Sequence, residues 1–354
     1  MATNQSTSFN VNKHNIAVLD FGVTSLKIVI VDPSHPEEPF HSQRIYLPLR
    51  TRRQEIDGEL KTILRSYADY NIRKFILTTT SPLFASAKET IEFIINSVTN
   101  FIHPANIVLY THDGEFVTIK QALENPSKVV SVGWKALGKG LWKMTKQEGL
   151  VVDFSTRTTS FIPIREGEIL SSSKSDHERM KNDELIFFGL METNAAFIQP
   201  IFEYNGETFN LPFETHAITA DVFLVTEDIQ SSDYITNTPD KKAKFKEDAL
   251  DRIKSMFCIV DDCFHEQDLI KIAYLLKVRM LEKINRLIKK KMEEYQLDKI
   301  IITGIGANIL YQYLMEKNEY TNISKASDII KTAEINPSFS LAYIYASKKM
   351  IADD

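Results

Sequence analysis

The sequence is poor in glycine, with 12 in 354 residues, about half of ordinary usage. Loops that cradle phosphate through backbone N–H groups normally need glycine, so any such loop here must rely on side chains. Cysteine is scarcer still. Cys258 and Cys263 are the two present, and their spacing fits neither a zinc knuckle nor a redox Cys-x-x-Cys. They read as reduced cytosolic thiols near a helix end. No apolar run approaches the roughly 20 residues that span a bilayer. Met1 to Asn15 is polar and lacks an apolar signal core, so residues 1–15 read as a disordered tail and the expected location is cytoplasmic. There is no basic excess either. The net charge is −5, which disfavours nucleic acid or an anionic membrane as a general partner. The eight histidines show no ligand spacing.

What is present is a short pattern made twice. Val18-Leu19-Asp20-Phe21-Gly22-Val23-Thr24-Ser25-Leu26-Lys27-Ile28 is an apolar strand, an Asp, a small hydroxyl-bearing turn and a second strand. Val151-Val152-Asp153-Phe154-Ser155-Thr156-Arg157-Thr158-Thr159-Ser160-Phe161 repeats it in the same register. Hydroxyls and N–H groups at such a turn can face an anion. An Asp at the strand end can hold magnesium through water. Either Asp could instead close its hairpin by bonding backbone N–H groups. Recurrence in register favours a ligand role. A third loop, Ile300 to Ala307, runs from a buried strand through Gly304-Ile305-Gly306 into a helix, whose N-terminus is a ready anion or nucleotide site.

The phosphate candidates are therefore Gly22, Thr24, Lys27, Arg157, Thr158, Thr159, Gly304 and Gly306. Asp20 and Asp153 are the magnesium candidates. Trp134 and Trp142, eight residues apart, are expected to face a core. The basic run Lys283, Arg286, Lys289, Lys290 and Lys291 is assigned to a helix C-terminus, where the dipole favours cations.

Periodicity outlines two α/β halves. A strand is expected at Arg44–Leu49 and helices at Glu55–Tyr70 and Ala85–Val98. Asn125-Pro126 opens a helix through Trp134 to Trp142. In the second half, a third strand is expected at Ile169–Ser172 and a hairpin at Asn205-Gly206. Long helices are expected at Lys241–Val260 and Glu266–Glu294, a strand at Leu297–Thr303, and a last helix from Pro337. The expected domains are 16–147 with helix 337–354 packing back on it, and 148–336 with a helical insertion at 240–294.

The three loops, in this order, resemble those of the actin and sugar-kinase superfamily. The stretch Leu150–Ile198 more closely resembles the hydantoinase A/oxoprolinase-related family linked to tetrahydromethanopterin and methanofuran metabolism. That family's pattern is an Asp-Ile-Gly-Ser-Thr-Thr-Thr-Asp loop, then Asp-x-Glu-Arg, Glu-Leu-x-x-x-Gly and Thr-x-x-Ala. Here these read Asp153–Ser160, Asp176-His177-Glu178-Arg179, Glu184-Leu185-Ile186-Phe187-Phe188-Gly189 and Thr193-Asn194-Ala195-Ala196. Further matches are Asp113-Gly114-Glu115-Phe116, the Trp134 segment, Glu214, Thr219-Ala220-Asp221-Val222 and Pro337-Ser338-Phe339-Ser340.

The resemblance implies a two-lobed actin/sugar-kinase-like (ribonuclease H-like) fold, with mixed β-sheets around an interdomain cleft. It also implies Asp153, Asp176 and Glu178 as catalytic residues, and Arg179, Glu184 and Asn194 as substrate residues. The implied activity is a transferase reaction in which an aminomethylfuran methyl diphosphate is joined to the phenol of γ-glutamyltyramine and pyrophosphate is released. Magnesium is the expected cofactor and small molecules the expected partners, with the oligomeric state open. The alternatives are an ATP-dependent small-molecule kinase and a catalytically inactive ligand-binding descendant.

The loops depart from the family pattern. Ser155 replaces a glycine, Arg157 a threonine and Ser160 an acid, and no acid lies between Ile76 and Phe84. Arg157 is expected to bind phosphate, to obstruct the site or to point into solvent.

Overall fold

The computed structural model describes residues 14–79, 83–260, 263–330 and 336–352, with side chains to 348. The expected tail up to residue 13 and the acid-poor segment at 80–82 lie outside the described residues. The chain divides into two compact units. One comprises the chain to Met144 together with Pro337 onward; the other is Thr145–Asn336.

In the first unit, β1 (Asn15–Phe21) and β2 (Ser25–Val31) form the expected antiparallel hairpin. Then come β3 (His41–Tyr46), β4 (Ile72–Thr78), β5 (Ile107–Tyr110) and β6 (Phe116–Val117). The strand order is β3-β2-β1-β4-β5-β6, with β1, β4 and β5 mutually parallel. Both faces of β1 are buried, which is why Ile16 to Phe21 reads as a near-continuous apolar run. Ala17, Leu19 and Phe21 share a core with Leu60 and Ile63 of helix Ile56–Ser66 and with Ile91, Ile94 and Val98 of helix Ala87–Thr99. Each fully buried Leu, Ile or Phe among these contributes about 1.5–3 kcal/mol. Alternation puts Ile16, Val18 and Asp20 on the opposite face. Helix Pro337–Ala352 packs on β1, β2 and β4. It meets helix Gly133–Thr145 where a side chain at Gly140 would lie 2.4 Å from Ser340 Cβ.

The second unit repeats the plan. Its strands are β7 (Gly149–Phe154), β8 (Thr159–Arg165), β9 (Glu168–Ile169) and β10 (Leu185–Ile186). They are followed by β11 (Ile201–Tyr204), β12 (Glu207–Asn210), β13 (Ile300–Thr303) and β14 (Ile323–Lys325). The main sheet runs β10-β8-β7-β13-β14, with β7 and β8 antiparallel and β7, β13 and β14 parallel. Leu150, Val152, Phe154 and Phe161 form one core with Leu276, Met280, Ile284 and Ile288 of the long helix Glu266–Tyr295, which packs directly on β7 and β8. β11 and β12 meet at Asn205 (φ 52°) and Gly206 (φ 83°), the two positive angles of a tight hairpin turn.

Several local expectations are corrected. Asn125-Pro126 opens only a short 3-10 turn; Ser131, at φ 57°, breaks the chain direction, and the helix starts at Gly133. Trp134 is buried there but Trp142 is only half-buried. The helix expected at 241–260 is confined to Lys246–Ser255. Left-handed backbone at Lys241 (φ 62°) and Cys258 (φ 55°) limits it on both sides. Both cysteines are exposed. No helix among the described residues is long and apolar enough to cross a membrane.

Candidate functional site

The two hairpins place their acids identically. Asp20 is opposite Lys27 on β2 and beside Thr78 on β4. Asp153 is opposite Ser160 on β8 and beside Thr303 on β13. Thr78 and Thr303 did not stand out in the sequence. Each closes an apolar strand, Phe75-Ile76-Leu77-Thr78 and Ile300-Ile301-Ile302-Thr303, and that shared ending is the signal that could have found them.

In the first unit Asp20 is wholly buried. Its Oδ2 lies 3.7 Å from Lys27 Nζ and accepts the Ser338 hydroxyl at 3.4 Å, at the start of the last helix. Burial raises its pKa, against the opposing pull of Lys27, Ser338 and Arg44. Its Oδ1 has no hydrogen-bond partner among the described residues, nor has the adjacent Thr78 hydroxyl. Lys27 is therefore the counter-charge of Asp20. The turn is closed by its own backbone: Gly22 N–H donates to Ser25 O at 2.9 Å, and Leu47 N–H to Thr24 O at 2.9 Å. The Thr24 side chain remains half-exposed.

In the second unit Asp153 is half-buried, and its Oδ1 accepts the Ser155 hydroxyl at 2.6 Å. Ser155, which replaces a family glycine, thus orients the acid. Arg157 pairs through Nε with Glu192 Oε2 at 3.2 Å, and its guanidinium carbon lies 5.9 Å from the Phe187 ring centre. That fixes the arginine beside the turn. Ser155 N–H donates to Thr158 O at 2.9 Å. The buried Thr159 hydroxyl donates to Phe188 O at 2.6 Å, so it braces the strand.

Three glycines pack against this turn. A Cβ at Gly189 would lie 2.3–2.5 Å from the Arg157 backbone. One at Gly304, where φ is +89°, would lie 2.5 Å from Asp153 Oδ1, and one at Gly306 2.3 Å from Phe154 Cδ1. Gly306 N–H donates to Phe154 O at 2.9 Å. The Gly-x-Gly therefore brings helix Ala307–Lys317 onto the Asp153 strand end.

The Asp-x-Glu-Arg motif forms helix Asp176–Lys181. Arg179 is buried there, with Nη1 3.4 Å from Asp176 Oδ1 and Nη2 donating to Glu184 O at 3.3 Å. Burial lowers the Arg179 pKa, while the fields of Asp176, Glu184 and Asp153 oppose that. Asp153, Asp176 and Arg179 therefore belong to one charge cluster.

Other candidates have different positions. Glu178 is exposed, and its Oε2 accepts Lys174 N–H at 2.6 Å as part of the helix start. Glu184 is buried and accepts the Ser171 and Tyr295 hydroxyls at 2.6 and 2.8 Å, a brace to the long helix. Asn194 Oδ1 caps Ala196 N–H, and its Nδ2 donates to Phe213 O at 3.1 Å. Sequence reasoning missed Glu192 and Phe187. Neither carries a signal until the fold sets it against Arg157.

The donor atoms near the acids are carboxylate and hydroxyl oxygens, a hard set that suits magnesium rather than zinc. No cluster of three or more His, Cys, Asp or Glu is present among the described residues. Magnesium, which keeps waters and shares substrate phosphates, does not need one. The unpartnered Asp20 Oδ1 in the first unit and the half-buried Asp153 in the second are each a donor of that kind within its own unit.

Two mixed-sheet units, each opening on an Asp-tipped hairpin flanked by a parallel strand, define a two-unit α/β protein. Residues 77–330 match the hydantoinase/oxoprolinase family, and the chain belongs to that family. It is 29% identical over 328 residues to the (4-{4-[2-(γ-L-glutamylamino)ethyl]phenoxymethyl}furan-2-yl)methanamine synthase of Methanocaldococcus jannaschii, covering 92% of this chain and 95% of that protein. A protein of the same name from Methanococcus vannielii is 33% identical over 199 residues, covering 55% of this chain and 89% of that one. Among solved structures, the activator of 2-hydroxyisocaproyl-CoA dehydratase from Clostridium difficile is a distant likeness. It has a TM-score of 0.45 at 10% identity, covering 96% of this chain and 97% of that one. A ROK family glucokinase from Streptomyces griseus gives 0.44 at 12%, covering 93% and 97%.

Proposed function

We propose that this protein is an ether-forming transferase. It joins an aminomethylfuran methyl diphosphate to the phenol of γ-glutamyltyramine and releases diphosphate, making the product named for its relatives. The observation that carries the reading is the cluster in the second unit, where the Asp153 turn, Arg157, Asp176 and buried Arg179 share one region.

Arg157 binds diphosphate oxygens with its guanidinium, a planar fork suited to phosphate. Thr158 and the N-terminus of helix Ala307–Lys317 add neutral and dipolar stabilisation. Asp153 would hold magnesium in this unit, with Asp20 the corresponding ligand candidate in the first. Magnesium, when bound, neutralises charge on the leaving diphosphate. The phenol oxygen attacks the furan methylene. A new C–O ether bond forms as the methylene–oxygen bond to diphosphate breaks, and the electron pair leaves with diphosphate. Asp176 takes the phenolic proton. Arg179 holds Asp176 in place through their 3.4 Å pair, so it is a positioning residue. Glu178, Glu184 and Asn194 act on this site through the helix start, the strand brace and the cap that they make.

The test is turnover of the two substrates by the full chain with magnesium, following ether product by mass spectrometry and diphosphate by a coupled assay. Stoichiometric product and diphosphate are expected. Removal of the Arg157 guanidinium is expected to cost about a hundredfold in kcat/KM, in the range of a transition-state contact to a developing anion. Turnover of ATP with an alcohol or amine, in place of ether formation, overturns the assignment.

A further inference from the structure

Apart from the loops, a cavity of about 470 Å3 lies where helix Glu266–Tyr295 faces helix Ala307–Lys317. No residue of the candidate phosphate turn lines it. Its size falls in the range of small-molecule sites, about 300–1,000 Å3.

The charge balance in this cavity is uneven. Arg279, Lys283, Arg286 and Lys317 line it, against Glu282 and Glu319. Both acids are already compensated. Glu282 pairs with Arg279 at 3.2 Å, and Glu319 with Lys289 at 2.9 Å and the Asn285 amide at 2.8 Å. Lys283, Arg286 and Lys317 form no ion pair among the described residues. Lys283 Nζ instead stands 4.5 Å from the Phe188 ring centre, and Lys317 Nζ 5.4 Å from that of Tyr313.

A helix dipole does not account for this arrangement. Its influence fades within the last turn, whereas Lys283 and Arg286 lie more than two turns before the end of their helix at Tyr295. They are three residues apart and so share one face.

A second, independent observation is Tyr313. It is 8% exposed, and its hydroxyl is buried with no partner among the described residues. Burial, reinforced by nearby Glu282 and Glu319, pushes the phenol up to about 12. It therefore keeps its proton at neutral pH and is a donor in want of an acceptor.

We propose that this cavity binds a small polyanion, a phosphate ester or a polycarboxylate, held by Lys283, Arg286, Lys317 and the Tyr313 hydroxyl. A macromolecular polyanion would need an extended basic surface, which the net charge of −5 opposes.

The full chain is titrated calorimetrically without magnesium, with inorganic diphosphate in one arm and tricarballylate in the other. Wild type is compared with Arg286→Ala/Lys317→Ala, Tyr313→Phe and Arg157→Ala. At least one probe is expected to bind. Affinity is expected to fall about tenfold or more in the double variant and about threefold in Tyr313→Phe, as for lost charge-assisted and neutral hydrogen bonds. Binding is expected to persist in Arg157→Ala, which separates this site from the proposed catalytic turn. The tighter probe names the ligand source. The double variant changes exposed side chains, so it is expected to melt like wild type. No binding of either probe, or binding that the double variant retains in full, overturns the proposal.

Discussion

Replacing Gly189 by Ala is the most demanding probe of the second unit. The new Cβ would lie 2.3, 2.4 and 2.5 Å from the Arg157 carbonyl carbon, Cα and nitrogen. These are backbone atoms, so no rotamer change relieves the clash. The next residues hold the same turn: Leu190 N–H donates to Ser155 O at 2.9 Å, and Met191 N–H to Thr156 O at 2.9 Å. The turn must therefore move by about an ångström or these bonds must break. Overpacking costs about 1–3 kcal/mol, and a backbone clash of this depth sits at the upper end, about 3 kcal/mol. For a domain of about 150–250 residues that is about 6–12 °C in Tm. Calorimetry of Gly189→Ala should show a lowered transition of that size. Turnover should fall by about a hundredfold, since Arg157 and Asp153 shift with the turn. Gly58→Ala is the control. Nothing lies within 4 Å of that position on a helix, so Ala there should stabilise by about 0.5–1 kcal/mol. A Gly189→Ala protein melting within about 2 °C of wild type would refute the close-contact argument.

Three further outcomes are expected. Burial raises the Asp20 pKa, so its contribution is fully present below the ordinary value near 3.8 and is lost as pH rises through the higher folded value. Asp20→Asn should thus match wild type in acid and exceed it in melting temperature above that window; lower stability at every pH would contradict this. Arg252 donates through Nε to Asp221 Oδ1 at 2.8 Å, and both residues are buried. Arg252→Met should lose about 3–5 kcal/mol, and adding Asp221→Leu should restore most of it, as measured by denaturant unfolding. Glu178→Ala should cost about 0.5–2 kcal/mol through the helix start with kcat nearly unchanged, whereas Asp176→Asn should lower kcat by about a hundredfold or more. Equal losses of turnover in the two variants would remove Asp176 from its assigned role.

The hairpins were legible because their chemistry is local. Buried strands need apolar runs, and an Asp interrupting one at the same place twice is visible in a single sequence. The register was not. Thr78 and Thr303 become neighbours of Asp20 and Asp153 only when β4 and β13 return parallel to β1 and β7 after long crossovers. The glycine count also misled in one respect. Scarcity suggested loops starved of close approach, yet Gly189, Gly304 and Gly306 all sit where a side chain would strike the Asp153 turn. Number is a property of composition, whereas closeness is a property of the fold. The Asn125-Pro126 signal failed for a related reason. It is a sound helix opening, but Ser131 takes a left-handed conformation that no propensity announces.

The matched acids have diverged in environment, and that divergence bears on the roles proposed for them. Asp20 is wholly buried, with Lys27 and Ser338 on one oxygen and nothing described on the other. Any ligand there must enter a desolvated place, where an ionised carboxylate is costly unless a cation compensates it. Asp153 is half-buried, oriented by a hydroxyl and within the field of Arg179, so it can exchange ligands with water at little cost. Substituting Ser155 for glycine and Arg157 for threonine therefore does not erode the second loop in one direction. The serine replaces backbone freedom with a fixed acid, and the arginine replaces a hydroxyl with a charge that Glu192 keeps in place. A loop that has exchanged N–H donors for an anchored guanidinium is suited to a fully charged diphosphate, and the same physics makes it a poor seat for an uncharged alcohol.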